Sequence, residues 1–206
     1  MRPDHGSIPL RPEQAREAAR ALARAFDDDP GVLWLFPSGG KRKRFLFWHF
    51  MRETAYMRLY GEAYTTPHTV GGAAMWLPPD QPFFTPARFV SNGYLVLPFK
   101  MGPVALVKFL ASMALMDKLH RRDAPQRHWY LATLGVDPPY QGQGVGGALI
   151  QPVLERADRE GLPCYVETGK EINVRFYRQH GFDIVDEGYT PLGGPRYWTM
   201  LHEPVG

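Results

Sequence analysis

Gly142, Gly144, Gly146 and Gly147 put four glycines into six positions of the segment Gln141-Gly142-Gln143-Gly144-Val145-Gly146-Gly147. Residues 129–136 before it read as a strand, and residues 145–160 as a helix. A helix start exposes unpaired backbone N–H groups and the positive end of the helix dipole. Glycine has no Cβ to hold a phosphate away from those N–H groups. The natural ligand of such a loop is a pyrophosphate. The loop lacks the Lys-Ser/Thr end of a nucleotide-hydrolase P-loop, which disfavours ATP with magnesium. It is not a Gly-x-Gly-x-x-Gly dinucleotide pattern either, and no acidic residue follows at the required place. A tight strand-to-helix turn that binds nothing is the bland alternative, and the glycine density argues against it. Cys164 is the one cysteine, so a disulfide within the chain is impossible and a cysteine-based zinc site is disfavoured. It reads as a small buried hydrophobe rather than a nucleophile.

The elements that must hold this loop follow from periodicity. Val145, Leu149, Ile150, Val153, Leu154 and Ala157 recur at helical spacing, and Gly161 ends that helix. Residues 163–168 form a short apolar strand, so the middle of the chain is a strand-helix-strand unit with a right-handed parallel crossover. Residues 173–180 read as a helix closed by Gly181, with His180 at its C-terminal end. Residues 182–189 and 197–201 are final strands. Upstream, residues 13–26 form a helix stopped by Asp27-Asp28-Asp29-Pro30. Residues 41–60 form an aromatic-rich helix, and residues 62–66 and 70–77 form two strands. Residues 81–102, rich in proline and aromatics, read as loop with one or two helical turns. Residues 103–119 read as a helix with proline in its first turn. Strands on both sides of the crossover imply a mixed sheet. No repeat or linker divides the chain, so residues 1–206 are read as one domain.

Composition narrows the class. The 206 residues are 44% hydrophobic and 13% aromatic, enough to bury a core and to exclude a disordered or fibrous chain. A net charge of +3 is too mild to argue for nucleic acid. The run Lys41-Arg42-Lys43-Arg44 reads as a solvated helix start. Residues 1–31 hold no apolar signal region. Residues 104–116, the most apolar stretch, fall short of the roughly 20 residues of a membrane span and are expected to form a buried helix. No membrane partner is expected, and a cytoplasmic location fits the single thiol.

Three motifs in order resemble one family. Gln141-Gly142-Gln143-Gly144-Val145-Gly146 is similar to the Gln/Arg-x-x-Gly-x-Gly/Ala motif of the GNAT superfamily of acyl-CoA-dependent N-acetyltransferases. Leu134-Gly135-Val136-Asp137-Pro138 resembles that family's fourth strand, and residues 173–182, from Asn173 through Tyr177 to Gly181-Phe182, its Asn-x-x-x-Tyr-x-x-x-Gly-Phe segment. Residues 129–136, Glu167-Thr168 and Gly194-Pro195-Arg196 further resemble the branch that contains puromycin N-acetyltransferase. The resemblance implies an α/β (α+β) fold. Its sheet is mixed and mostly antiparallel, flanked by helices, with one splayed parallel pair. It implies an acyl-CoA-binding core over residues 128–182 and acetyl-CoA as co-substrate. The pantetheine would pair with a bulged strand around Leu134, Gly135 and Val136, and the pyrophosphate would sit on Gln141, Gly142, Gln143, Gly144, Val145, Gly146 and Gly147. Asn173 would bond the pantetheine amide, and Tyr177 would protonate the departing thiolate. No metal is implied. Glu167, at the end of the strand flanking the cleft, is a base or a structural hydrogen bonder, with His128 as the fallback base. Trp34, Phe36, Trp48 and Phe83-Phe84 are either acceptor-pocket or core aromatics. The expected activity is direct acetyl transfer to a primary amine of a small molecule by a monomer or homodimer. Acetylation of a protein lysine or N-terminus, or CoA binding without turnover, are the rival readings. The insertion at 81–102 would close one side of the acceptor groove.

Overall fold

In the computed structural model, which describes residues 6–81 and 85–205, a short strand β1 (Ile8–Pro9) precedes α1 (Ala15–Ala25), α2 (Pro30–Leu35) and the long α3 (Gly39–Tyr60). The strands β2 (Glu62–Thr65) and β3 (Gly72–Leu77) form a hairpin. A helical insertion of α4 (Pro86–Ser91), α5 (Leu97–Met101) and α6 (Pro103–Asp123) leads to β4 (Trp129–Val136). Then α7 (Val145–Glu160) crosses to β5 (Cys164–Thr168), and α8 (Glu171–Arg178) leads to the hairpin of β6 (Phe182–Tyr189) and β7 (Arg196–His202).

These strands form one seven-stranded sheet in the order β1-β2-β3-β4-β5-β7-β6. Every neighbouring pair is antiparallel except β4 with β5. That is the mixed, mostly antiparallel sheet the resemblance implies. Alternation along β3 sorts the core into two layers. Ala74 and Trp76 face Leu149 and Val153 of α7. Ala73, Met75 and Leu77 face Leu22 of α1 and Leu46 and Phe50 of α3.

The register of β4 against β3 breaks once. Met75 pairs with Thr133 and Trp76 with Leu131, which leaves Ala132 as an extra residue. A bulge of this kind re-aims the side chains that follow it. Tyr130 and Ala132 face the α1/α3 layer. Thr133 turns to that same layer, where it bonds Glu53 of α3. Leu131, Leu134 and Val136 face α7. Gly135 lies under α1, where an added Cβ would stand 2.7 Å from the Leu22 side chain. Arg24 closes this corner by donating two bonds, of 2.7 and 2.5 Å, to the buried carboxylate of Asp137.

Three expectations change. Asp29 does not only stop the first helix. Its Oδ1 accepts from the N–H groups of Gly31 (2.9 Å) and Val32 (3.2 Å), capping α2 with Pro30 at the first helical position. Of the stretch read as loop with one or two helical turns, residues 85–102 are mostly helical, through α4, a 3-10 turn at Tyr94–Val96 and α5. The apolar stretch at 104–116 is not a buried helix. Val104, Val107 and Leu110 are exposed, and within α6 only Ala105 and Leu119 are buried. Its apolar residues are spread round the helix instead of forming one stripe, so a single contact layer cannot cover them. No helix among the described residues is long and apolar enough to cross a membrane.

Candidate active site

The glycine loop divides into two functions. Gly142 (φ 73°) and Gly144 (φ 86°) adopt the left-handed conformation, with nothing within 4 Å of where a Cβ would project. Gly144 starts α7 with no side chain capping it, so the first N–H groups of the helix stay uncapped. Gly146 and Gly147 serve packing instead. A Cβ on them would stand 3.2 Å from the Phe176 ring and 2.6 Å from His180 Nε2, so they let α8 lie close to α7. The amides of Gln141 and Gln143 fold back onto the carbonyls of Val136 and Pro139, at 2.9 Å each. Val145 is buried in the core, leaving its backbone as the part available to a ligand.

Beside this loop the parallel strands part. β4 and β5 pair only at Trp129 with Cys164 and Tyr130 with Tyr165. Beyond that, Leu134, Gly135 and Val136 pair with β3 on one side. Among the described residues no strand pairs with their other edge. Asn173, in the first turn of α8, donates to Thr168 Oγ1 at the open end of β5 (3.0 Å). Tyr177, one turn on, is 4% exposed and packs between Phe176 and Phe182 on the α7 face. Burial, and then the charge of Glu167, push its phenol well above the ordinary value. Cys164 is fully buried, and burial pushes its thiol up too, which leaves it a packing residue.

The opposite face of the gap carries carboxylates. Glu167 Oε2 accepts from the Tyr130 hydroxyl at 2.7 Å, while its buried Oε1 has no hydrogen-bond partner. Burial raises Glu167 to about 7, against the lowering pull of the Tyr130 and Tyr165 hydroxyls. Glu53 has the same pattern. Its Oε1 accepts from Thr133 Oγ1 at 2.6 Å, its buried Oε2 has no hydrogen-bond partner, and burial raises it to about 7. Both line one cavity of about 710 Å³, walled by Phe26, Trp34, Phe45, Phe50, Phe89 and Tyr94. Phe89 of α4 and Tyr94, both from the 81–102 insertion, form part of this wall.

Other expected residues lie elsewhere. Phe36 and Trp48 are not on the cavity wall; they pack behind it with Phe45, Leu97 and Met101. Phe83 and Phe84 fall outside the described residues. His128 is not on the cavity wall. Its Nδ1 bonds the Gln126 carbonyl at 2.6 Å, and its Nε2 lies 2.6 Å from His120 Nε2. The carbonyl requires a proton on Nδ1, so in the neutral pair His120 donates to His128. Burial lowers His120 to about 4. His180 lies just beyond α8, with Nδ1 at 2.8 Å from the Phe176 carbonyl. Glu53 is the residue that sequence reasoning missed. Its signal was a carboxylate on the stripe of Leu46, Phe50 and Met57, where a solvated residue does not belong.

Residues 19–182 match the acetyltransferase (GNAT) family. The chain belongs to that family. An uncharacterised N-acetyltransferase of Schizosaccharomyces pombe is 25% identical to this GNAT protein over 174 residues, 81% of this chain and 70% of the relative. Among solved structures, a histone acetyltransferase HPA2-related acetyltransferase of Corynebacterium glutamicum is similar with a TM-score of 0.72 at 20% identity, over 98% of this chain and 97% of the other. Arylalkylamine N-acetyltransferase 2 of Aedes aegypti is similar with a TM-score of 0.58 at 12% identity, over 96% and 97%. These structural likenesses carry the GNAT fold.

Proposed function

We propose that this GNAT protein moves an acetyl group from acetyl-CoA directly to a primary amine of a small molecule, in a ternary complex. One observation carries the reading. The gap between β4 and β5 has a buried phenol, Tyr177, on one face and a buried carboxylate, Glu167, on the other. Glu167 takes a proton from the bound ammonium, which frees the nitrogen lone pair. The nitrogen attacks the thioester carbonyl, whose oxygen is polarised by a β4 N–H around Leu134 to Val136. The C–N bond forms, the C–S bond breaks and Tyr177 protonates the leaving sulfur; the nitrogen then gives its second proton to the Tyr177 oxygen, which restores the phenol, and Glu167 passes its proton to solvent. Asn173 orients the pantetheine amide from the end of β5.

The pyrophosphate is held by backbone N–H groups of Gly142 to Gly147, with Gln141 fixing the loop to β4. Gly144→Glu puts bulk and negative charge on the left-handed position at the helix start. Isothermal calorimetry of the variant is expected to show CoA affinity reduced at least about tenfold, the scale of a charge misplaced at a helix terminus plus backbone strain. Unchanged affinity places the cofactor elsewhere.

The aromatic walls favour an arylalkyl or similarly apolar amine, the class for which the mosquito neighbour is named. The insertion that closes the groove favours a small acceptor over a polypeptide. The branch resemblance makes puromycin one member of the panel. Release of CoA thiol from acetyl-CoA, followed across aliphatic, arylalkyl and nucleoside amines and a lysine peptide, tests the reading. The expected result is amine-dependent release with small aromatic amines ahead of peptide. Release with peptide alone overturns it.

A further inference from the structure

Glu53 sits on α3, and no step above uses it. We propose that Glu53 anchors a second cationic nitrogen of the acceptor, so that among apolar amines those with two basic nitrogens joined by an apolar spacer are preferred. The inference rests on the acetyl-transfer reading of this cavity.

Glu53 is only 7% exposed, and its Oε2, buried on the wall of the cavity, has no hydrogen-bond partner. A buried carboxylate oxygen without a donor is costly, and it is retained where a ligand completes it. Glu167 stands in the same cavity with its own free oxygen, Oε1. Each carboxylate thus has one oxygen satisfied by a β4 hydroxyl, from Thr133 or Tyr130, and one left open. Among the described residues neither makes an ion pair with a lysine or arginine. The two arginines on the wall are committed elsewhere, Arg121 to Asp117 at 3.0 Å and Arg196 to Glu187 at 2.7 Å. His49 Nε2 lies 3.7 Å from Glu53 Oε2, but burial lowers that imidazole to about 4, so it brings no charge at neutral pH. Of the other two carboxylates on the wall, Asp117 pairs with Arg121, and Asp29 uses its Oδ1 to cap α2.

Two carboxylates without counter-charges match two cationic nitrogens. An ammonium offers three donors to the open oxygen and its surroundings. The rings of Phe45, Phe50 and Tyr94 pack about His49, which stands 3.7 Å from Glu53 Oε2, and on the same cavity wall they suit an apolar spacer. The two ends are not equivalent. Glu167 lies on β5 at the gap where the thioester is cleaved. Glu53 reaches from α3 to Thr133, past the bulge, and so holds the nitrogen that is not acetylated.

The test compares α,ω-diaminoalkanes with 1-aminoalkanes of matched length as acceptors for acetyl-CoA, in the wild type, Glu53→Gln and Glu53→Asp. Glutamine keeps the acceptor for Thr133 and removes the charge. Its folding is checked by Tm, expected to rise at pH 8, where the wild type buries a carboxylate. The wild type is expected to favour the diamine in kcat/KM at one best spacer length. Glu53→Gln should lower that preference about 10- to 100-fold, the worth of one buried charge-assisted hydrogen bond, through KM rather than kcat. Glu53→Asp should recover part of it and shift the best length upward. Equal losses on both series overturn the inference and make Glu53 a base or a structural group. So does a wild type with no diamine preference. Monoamine turnover keeps the acetyl-transfer reading standing in either case, whereas failure of every amine overturns both.

Discussion

Tyr177→Phe is expected to lower kcat about 100-fold or more while leaving CoA affinity nearly unchanged, a loss of about 2.7 kcal/mol in transition-state stabilisation. The phenylalanine ring refills the space between Phe176 and Phe182, so packing is conserved and only the hydroxyl is lost. The buried phenol titrates above its ordinary value of about 10, so it carries its proton throughout the neutral range. A phenol raised in this way is a weaker acid than a thiol, so its transfer to sulfur is completed as the amide nitrogen's second proton returns to the Tyr177 oxygen. Steady-state kinetics and CoA calorimetry on the same protein separate the two effects. An unchanged kcat assigns the proton to water or another group.

Glu167→Gln is expected to lower the plateau of kcat/KM about 100-fold. The wild-type profile should rise with pH through about 7 and then level off, because the carboxylate must be ionised to accept a proton and burial holds it near that value. Glu53 titrates in the same range, so a residual ionisation near 7 can persist in the variant and the plateau height is the deciding quantity. Stability runs the other way. The folded value lies above the ordinary glutamate value of about 4.3, so burial favours the protonated form. The stability it confers is present below that value and is lost as pH rises through about 7. Glutamine stays neutral throughout. The variant should therefore melt above the wild type at pH 8, with the difference shrinking at pH 5. Lower activity with a higher Tm marks a functional carboxylate. An unaltered profile marks Glu167 as structural, with the proton passing to water or to solvent.

Legibility in the sequence followed the strength of local signals. β4, α7 and β6 begin and end where periodicity and glycine placed them. Gly161 is left-handed, as a helix end requires. The motif order from Leu134 to Phe182 was enough for the family. The bulge at Ala132 was not locatable, since Trp129-Tyr130-Leu131-Ala132-Thr133 contains neither glycine nor proline to mark it. Yet that one extra residue turns Thr133 toward Glu53. α2 was hidden because Asp29-Pro30 signals a stop and a start at once. Glu53 was hidden because an acidic residue in a helix is ordinarily solvated, and only tertiary contacts from β4 make its burial possible. The exposed apolar face of α6 was misjudged because hydrophobicity along a sequence does not say how many sides a neighbour covers.

The most direct measurement is a crystal structure of the protein with CoA bound. The account predicts the pyrophosphate on the N–H groups of residues 142–147 and the pantetheine along the free edge of β4. It predicts the sulfur in the gap between β4 and β5, within hydrogen-bond reach of the Tyr177 hydroxyl and facing the cavity that holds Glu167. A pyrophosphate bound away from α7, or a sulfur on the far side of either strand from both residues, contradicts it.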